Sequence, residues 1–90
     1  MNEVKVEKPS QEKLEDLGVF DWPVWEKERS SFPWTYDSPE ICYILEGKVR
    51  VTPQGGEAVV FSTGDLVTFP LGMICFWEVL IPVKKHYLFA

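Results

Sequence analysis

The chain has 90 residues, enough for one small domain and too few for a second core. Hydrophobic residues make up 46% and charged residues 26%, the balance of a globular chain, so low-complexity and fibrous classes are excluded. The net charge of −5 sets a field that repels phosphate backbones and anionic lipid, which excludes nucleic acid and the membrane surface as expected partners.

Val4 and Val6 alternate with Lys5 and Glu7, a period-two pattern that predicts a short strand, and Pro9-Ser10 stops it. Ser10 is a good N-cap, Glu12 falls in the first turn and Gly18 suits the C′ position, so residues 11–17 read as one short helix with Leu14 and Leu17 as its buried edge. From Phe20 the signal turns to β. Trp22-Pro23-Val24-Trp25-Glu26 reads as a strand interrupted by proline, hence an edge or rim. Phe32 to Tyr36 and Ile41 to Leu45 read as further strands, and Lys48-Val49-Arg50-Val51 alternates between wet and dry faces. Pro53-Gln54-Gly55-Gly56 closes a hairpin onto Ala58 to Phe61. Thr63-Gly64-Asp65 turns into Leu66 to Phe69, and Pro70-Leu71-Gly72 turns again. Two last strands, about Ile74 to Leu80 and Lys84 to Phe89, are separated by Pro82. The sum is roughly eight or nine short strands with turn signals every 8 to 12 residues, which predicts an all-β sandwich or barrel.

Two segments carry a family resemblance. Glu40 is followed after six residues by Gly47; downstream stand Gly64-Asp65, a strand, and Pro70-Leu71-Gly72. In this order they resemble the two motifs of the cupin superfamily. Trp22-Pro23-Val24-Trp25-Glu26 and the stretch from Phe76 to Tyr87 resemble the small single-domain branch grouped with ureidoglycine aminohydrolase and ethanolamine-utilisation cupins. The resemblance covers about residues 22–88. It implies a small single-domain cupin jelly-roll barrel over residues 22–89, with residues 1–21 as an N-terminal strand and helix arm, and it implies a homodimer. The apolar Trp22, Val24 and Trp25 edge offers a physical reason for pairing.

Cupins usually hold a metal between the two motifs. Carried over residue by residue, the two histidine positions of the first motif fall on Trp34 and Tyr36, and that of the second falls on Cys75. Glu40 alone keeps its type. A metal centre generally needs three or four suitable protein ligands. Glu40 and Cys75 fall short unless Tyr36, Cys42 or His86 contributes, so no metal and no other cofactor is expected.

Strand alternation puts Glu40, Cys42 and Ile44 on one face, Cys75, Trp77 and Val79 on one face, and Trp34 with Tyr36. If the ligand positions face inward as the resemblance implies, the interior is an aromatic cup of Trp34, Tyr36, Glu40, Cys42, Cys75 and Trp77. A carboxylate facing an apolar cavity with no cation beside it suits a general acid or base, or an anchor for a ligand. The plainer role of Glu40 is a hydrogen bond to Tyr36 or a backbone amide that keeps the fold in register. Cys75 as a nucleophile needs a base, and His86 is the only histidine. An inert buried thiol is the simpler reading for both cysteines. Lys84 and Lys85 read as a solvated strand end, and Asp65 as a residue that bonds turn amides.

The sequence therefore predicts a cup that binds, and can transform, a small polar organic molecule without a metal: Glu40, Tyr36 and Cys75 as candidate catalytic groups, and Trp34, Cys42 and Trp77 as ligand-binding walls. A metal-dependent enzyme of the ureidoglycine aminohydrolase type and a non-catalytic dimeric module with a filled barrel are the alternatives. No apolar run approaches the roughly 20 residues of a membrane span and the start is polar, so a cytoplasmic protein is expected.

Overall fold

The structure, a computed structural model, describes residues 3–89. In chain order the elements are β1 (Lys5–Glu7), α1 (Gln11–Leu17), a 3₁₀ turn (Val19–Asp21), β2 (Val24–Lys27), β3 (Ser30–Thr35), β4 (Glu40–Pro53), β5 (Val59–Ser62), β6 (Leu66–Phe69) and β7 (Ile74–Phe89). All pairings are antiparallel and all seven strands belong to one sheet.

The sheet is organised by a single long ribbon in which β4 pairs with β7 from Glu40↔Phe89 to Pro53↔Cys75. Each outer edge of this ribbon is shared by two shorter strands. On the β4 side, Glu40 to Tyr43 pair with β6 and Lys48 to Val51 pair with β5. On the β7 side, Ile74 to Val79 pair with β3 and Val83 to His86 pair with β2. The ribbon thus divides into a first half, β1-β6-β4-β7-β2, and a second half, β5-β4-β7-β3.

The division falls where the register slips, between Ile44 and Val49. Across it the inward residues of β4 change from even numbers (Glu40, Cys42, Ile44) to odd ones (Val49, Val51). That phase break makes one strand look like two in the sequence. Pro82 does not end β7 as its type suggests. It sits opposite Gly47, where β4 offers no ladder partner, so its missing N–H costs no hydrogen bond. Gly47 is required there: its φ is 104°, and a Cβ would stand 2.3 Å from the Pro82 carbonyl oxygen. The two backbones cross in contact, and no side chain fits between them.

Folded at this crossing, the two halves bring their inner faces together. Phe69 of the first half meets Phe61 and Trp77 of the second at centroid distances of 5.9 Å each, and Tyr36 stacks on Phe69 at 4.6 Å. Cys42, Ile44, Val49, Val51, Val67 and Val83 complete this core. Dense aromatic packing lets a short chain bury enough area to hold its shape.

The helix forms where the sequence placed it. The Ser10 Oγ accepts from Lys13 N–H at 3.1 Å, and Gly18 takes φ 70° with its N–H on the Glu15 carbonyl. Leu14 is buried, but Leu17 is 40% exposed, so the helix has one anchor where two were expected. The 3₁₀ turn carries Phe20 onto the outer face of the first half, edge-on to Tyr43 at 6.1 Å and His86 at 5.7 Å. β1 pairs with β6 and so extends the sheet itself.

Candidate active site: an aromatic cup over a buried ion pair

The inner faces do not fill the space between the two halves. A cavity of about 240 Å³ remains, with Glu40 and Lys85 on its floor, Trp25, Phe32, Tyr36 and Trp77 as walls, and Trp34, Tyr87 and Phe89 toward its mouth. Its volume equals roughly eight waters of liquid, and it lies below the ~300 Å³ where drug-sized pockets begin. The occupant that fits is small.

Glu40 opens β4 and points inward with Cys42 and Ile44. Its Oε2 accepts from Lys85 Nζ at 2.6 Å, and the two side chains are only 4% and 7% exposed. The Lys85 ammonium also lies over two indole rings, 5.0 Å from the Trp25 centroid and 4.9 Å from that of Trp77. The contacts suit a cation: a carboxylate on one side and two negative ring faces on the others. Two sequence expectations are corrected here. Lys85 is no solvated strand end; it shares the inward phase of Cys75, Trp77 and Val83 on the continuous β7. And Glu40 does not face the cavity without a cation.

Tyr36 sits where β3 leaves the sheet. Its backbone is clamped by the turn after β6, with its N–H on the Met73 carbonyl (3.0 Å) and its carbonyl accepting from Gly72 N–H (2.7 Å). The expected hydrogen bond to Glu40 is replaced by another: the Tyr36 hydroxyl accepts from Trp77 Nε1–H at 3.1 Å. Burial pushes the Tyr36 phenol far up, and the nearby Glu40 charge adds to it, so the group stays a protonated donor. With the indole donating to its oxygen, the hydroxyl proton is free to turn toward the cup. Among the described residues, Glu40 Oε1 accepts no hydrogen bond, and since no side-chain polar atom is both buried and unpartnered, it keeps solvent access.

Trp34 and Trp77 both line the cup. Trp77 is buried in the wall, and Trp34 is 46% exposed at the mouth. The two cysteines lie elsewhere. Cys42 is in the core behind Glu40, and Cys75 is in the core with its thiol against the Trp34 carbonyl at 3.5 Å. Burial pushes the Cys75 thiol up to about 11. Burial also pushes Cys42 up to about 12, with Lys85 opposing and Glu40 adding. Neither forms a thiolate near neutrality. His86 is on the opposite face of β7, its Nδ1–H donating to the Trp22 carbonyl at 2.9 Å, so it cannot serve Cys75 as a base. Asp65 holds its turn: Oδ2 accepts from Ser62 N–H at 2.8 Å and Oδ1 from Lys8 Nζ at 2.6 Å.

The folded ribbon, the cup between its halves and the motif residues around it agree with a match of residues 14–87 to the model of the EutQ-like cupin domain. The chain belongs to the EutQ-like cupin family. A DUF861-family protein from Thermotoga maritima is similar at 59% identity with a TM-score of 0.96, over 98% of this chain and 100% of that one. The EutQ protein of Clostridium difficile is 26% identical with a TM-score of 0.65, over 71% of this chain and 50% of that one. A DUF861-family protein from Pseudomonas syringae pv. tomato is also 26% identical with a TM-score of 0.65, over 71% of this chain and 28% of that one. The cupin thus spans all of the Thermotoga protein but half or less of the other two. No curated protein matches it. No helix among the described residues is long and apolar enough to cross a membrane.

The metal that many cupins hold does not fit these residues. Trp34 and Tyr36 stand at the histidine positions of the first motif, and Cys75 is turned to a backbone carbonyl. The one ligand-type carboxylate, Glu40, already bonds an ammonium at 2.6 Å, which would repel a divalent cation. Among the described residues, no three of His, Cys, Asp and Glu converge.

Proposed function

We propose that this cupin is a metal-free jelly-roll barrel whose cup binds, and can transform, a small polar organic molecule. The observation that carries the reading is the buried Glu40–Lys85 pair on the floor of an aromatic cavity. Burying two charges is costly even when they are paired, and a hydrophobic pair of similar volume often serves stability as well. An ion pair kept beside an open cavity therefore points to a ligand.

The charges also define the ligand. A cation would meet Lys85 and an anion would meet Glu40, so a neutral molecule is favoured. It needs a hydrogen-bonding head that accepts from Lys85 or Tyr36 and donates to, or approaches, Glu40 Oε1. Its body is flat and apolar, to lie among Trp25, Trp34 and Trp77. Hydrolysis of the ureidoglycine aminohydrolase type finds no support in this donor set. A non-catalytic module with a filled barrel is disfavoured by the cavity of about 240 Å³. The reading places the protein in the cytoplasm as a homodimer. Phe20 and Val24, both about half exposed and near β2, whose one partner strand among the described residues is β7, support the dimer.

The test is a fragment screen followed by the indole N–H signals of the four tryptophans in ¹⁵N-labelled protein. Neutral aromatic amides and ketones should shift the Trp25, Trp34 and Trp77 signals saturably and leave Trp22 unmoved. Elemental analysis after incubation with Mn, Fe, Ni and Zn should find no stoichiometric metal. Metal that is lost on Glu40→Gln would defeat the metal-free reading.

A further inference from the structure

We infer that the cup removes and returns a proton on the carbon beside the carbonyl of a small neutral ketone or aldehyde, with Glu40 as base and Lys85 and Tyr36 holding the oxygen. The inference rests on the binding reading above and names its substrate class and its reaction.

The chemistry has simple spatial demands. The oxygen of a carbonyl and its α-hydrogen sit on adjacent carbon atoms, so the base and the oxyanion stabiliser must adjoin. Glu40 and Lys85 adjoin at 2.6 Å and open onto the same cavity. The base must have a free oxygen, and Oε1 carries no hydrogen bond among the described residues while Oε2 is held by Lys85. The stabiliser must remain a donor. Lys85, between a carboxylate and two indole faces, sits in surroundings that suit a cation, and it serves as a hydrogen-bond donor. An ammonium has three donors, and one is used by Glu40. The Tyr36 hydroxyl lines the same cavity, and with its oxygen already accepting from Trp77 its proton is free to point into it.

The step balances without a co-reactant. The C–H bond breaks and its proton passes to Glu40 Oε1. The electron pair forms the C=C bond, and the carbonyl π pair moves onto oxygen, where the Lys85 ammonium and the Tyr36 hydroxyl stabilise the enolate. Return of the proton to the same carbon, from either face, regenerates the carbonyl compound, with exchange of the hydrogen and inversion where that carbon is a stereocentre. Lys85 supplies the positive charge that a metal would otherwise bring.

The experiment uses the intact protein with phenylacetone, which is neutral, flat at one end and carries an α-hydrogen beside its ring. Proton NMR in deuterated buffer follows loss of the benzylic signal, and the tryptophan indole signals report binding in the same tubes. The expected result is saturable exchange above the buffer rate, reduced about 100-fold by Glu40→Gln and by a smaller factor in Tyr36→Phe. Gln can still accept from Lys85, so Glu40→Gln is the variant that keeps the floor packed. Lys85→Arg, which keeps the charge, should retain part of the exchange. Exchange at the buffer rate in wild-type protein overturns the inference. If the indole signals still shift, the binding reading survives it, and if they do not, that reading fails for this class too. Saturable exchange that persists in folded Glu40→Gln protein overturns the assignment of the base.

Discussion

The β4–β7 ribbon carries two ion pairs, one in each half of the sheet, and they differ in every respect that matters. In the second half Arg50 faces Glu78 directly across the ladder. The pair is bidentate, at 3.0 and 2.7 Å, with side chains 43% and 29% exposed. In the first half Glu40 and Lys85 meet through one hydrogen bond on the inner face, with side chains only 4% and 7% exposed. The better geometry belongs to the pair that matters less. Water already satisfies exposed charges, so joining them gains little, whereas a buried charge that loses its partner has nothing to replace it. Good fork geometry on the outside of a sheet is a feature of the ladder, and a plain contact on the inside is a feature of the site.

The largest expected effect comes from breaking the inner pair on one side. Lys85→Met or Glu40→Ala should each destabilise the fold by about 3–5 kcal/mol in urea unfolding, because each leaves a buried charge unpaired. The double variant Glu40→Leu/Lys85→Met should recover most of the loss while abolishing ligand-induced shifts of the indole signals. If the double variant were as unstable as the sum of the singles, the two side chains would be uncoupled and the comparison drawn above would fail.

Next in size is the joint between the halves. Gly47→Ala would press a Cβ to 2.3 Å from the Pro82 carbonyl oxygen at a φ of 104°. Strain and overpacking together should cost about 2–4 kcal/mol. The loss should spread to both ion pairs, since the crossing sets how the halves face each other. A loss of stability that leaves the cup's indole signals in place would place the strain in the crossing alone.

These arguments also say what the sequence could reveal. The helix was legible because its caps are local: Ser10 and Gly18 act within three residues of their partners. The β character and the turns were legible because alternation is local too, and the inward direction of Trp34, Tyr36, Glu40 and Trp77 came with the cupin resemblance. Lys85 was not. Its burial depends on β7 running unbroken through Pro82, and proline in a strand argues for a stop. Continuing the odd-numbered phase of Cys75, Trp77 and Val79 through Val83 would have placed Lys85 inside, and that phase was the one available signal. The Trp77–Tyr36 bond and the Gly47–Pro82 crossing join residues 41 and 35 positions apart, and no local pattern encodes them.

The core thiols offer a test of the inner face through pH. Their pKa values are raised, to about 11 for Cys75 and about 12 for Cys42, from an ordinary 9.0. Below about pH 9 both states hold the proton. As pH rises toward these folded values the unfolded chain loses its protons first, so stability falls from about pH 9 upward. Urea midpoints should decline over that range, and the decline should be shallower in Cys42→Ala/Cys75→Ala. In native protein near neutral pH both thiols should resist thiol reagents, as buried groups do.

The smallest expected effect is on the outer pair, and its sign is opposite in pH. Arg50 holds the Glu78 carboxyl below its ordinary 4.5 through their hydrogen bonds and charge, so whatever the pair contributes is present above about pH 4.5 and is lost as pH falls below it. Glu78→Gln should therefore differ slightly from wild type at neutral pH, and the gap should close in acid. Added salt should close it as well, because both groups are in water. The same salt series should leave the cost of Lys85→Met nearly unchanged, since ions do not enter the cup floor to screen Glu40. A salt response shared by both variants would mean that ions screen the inner pair as freely as the outer one, and Lys85 would then be the solvated strand end that its sequence context suggests.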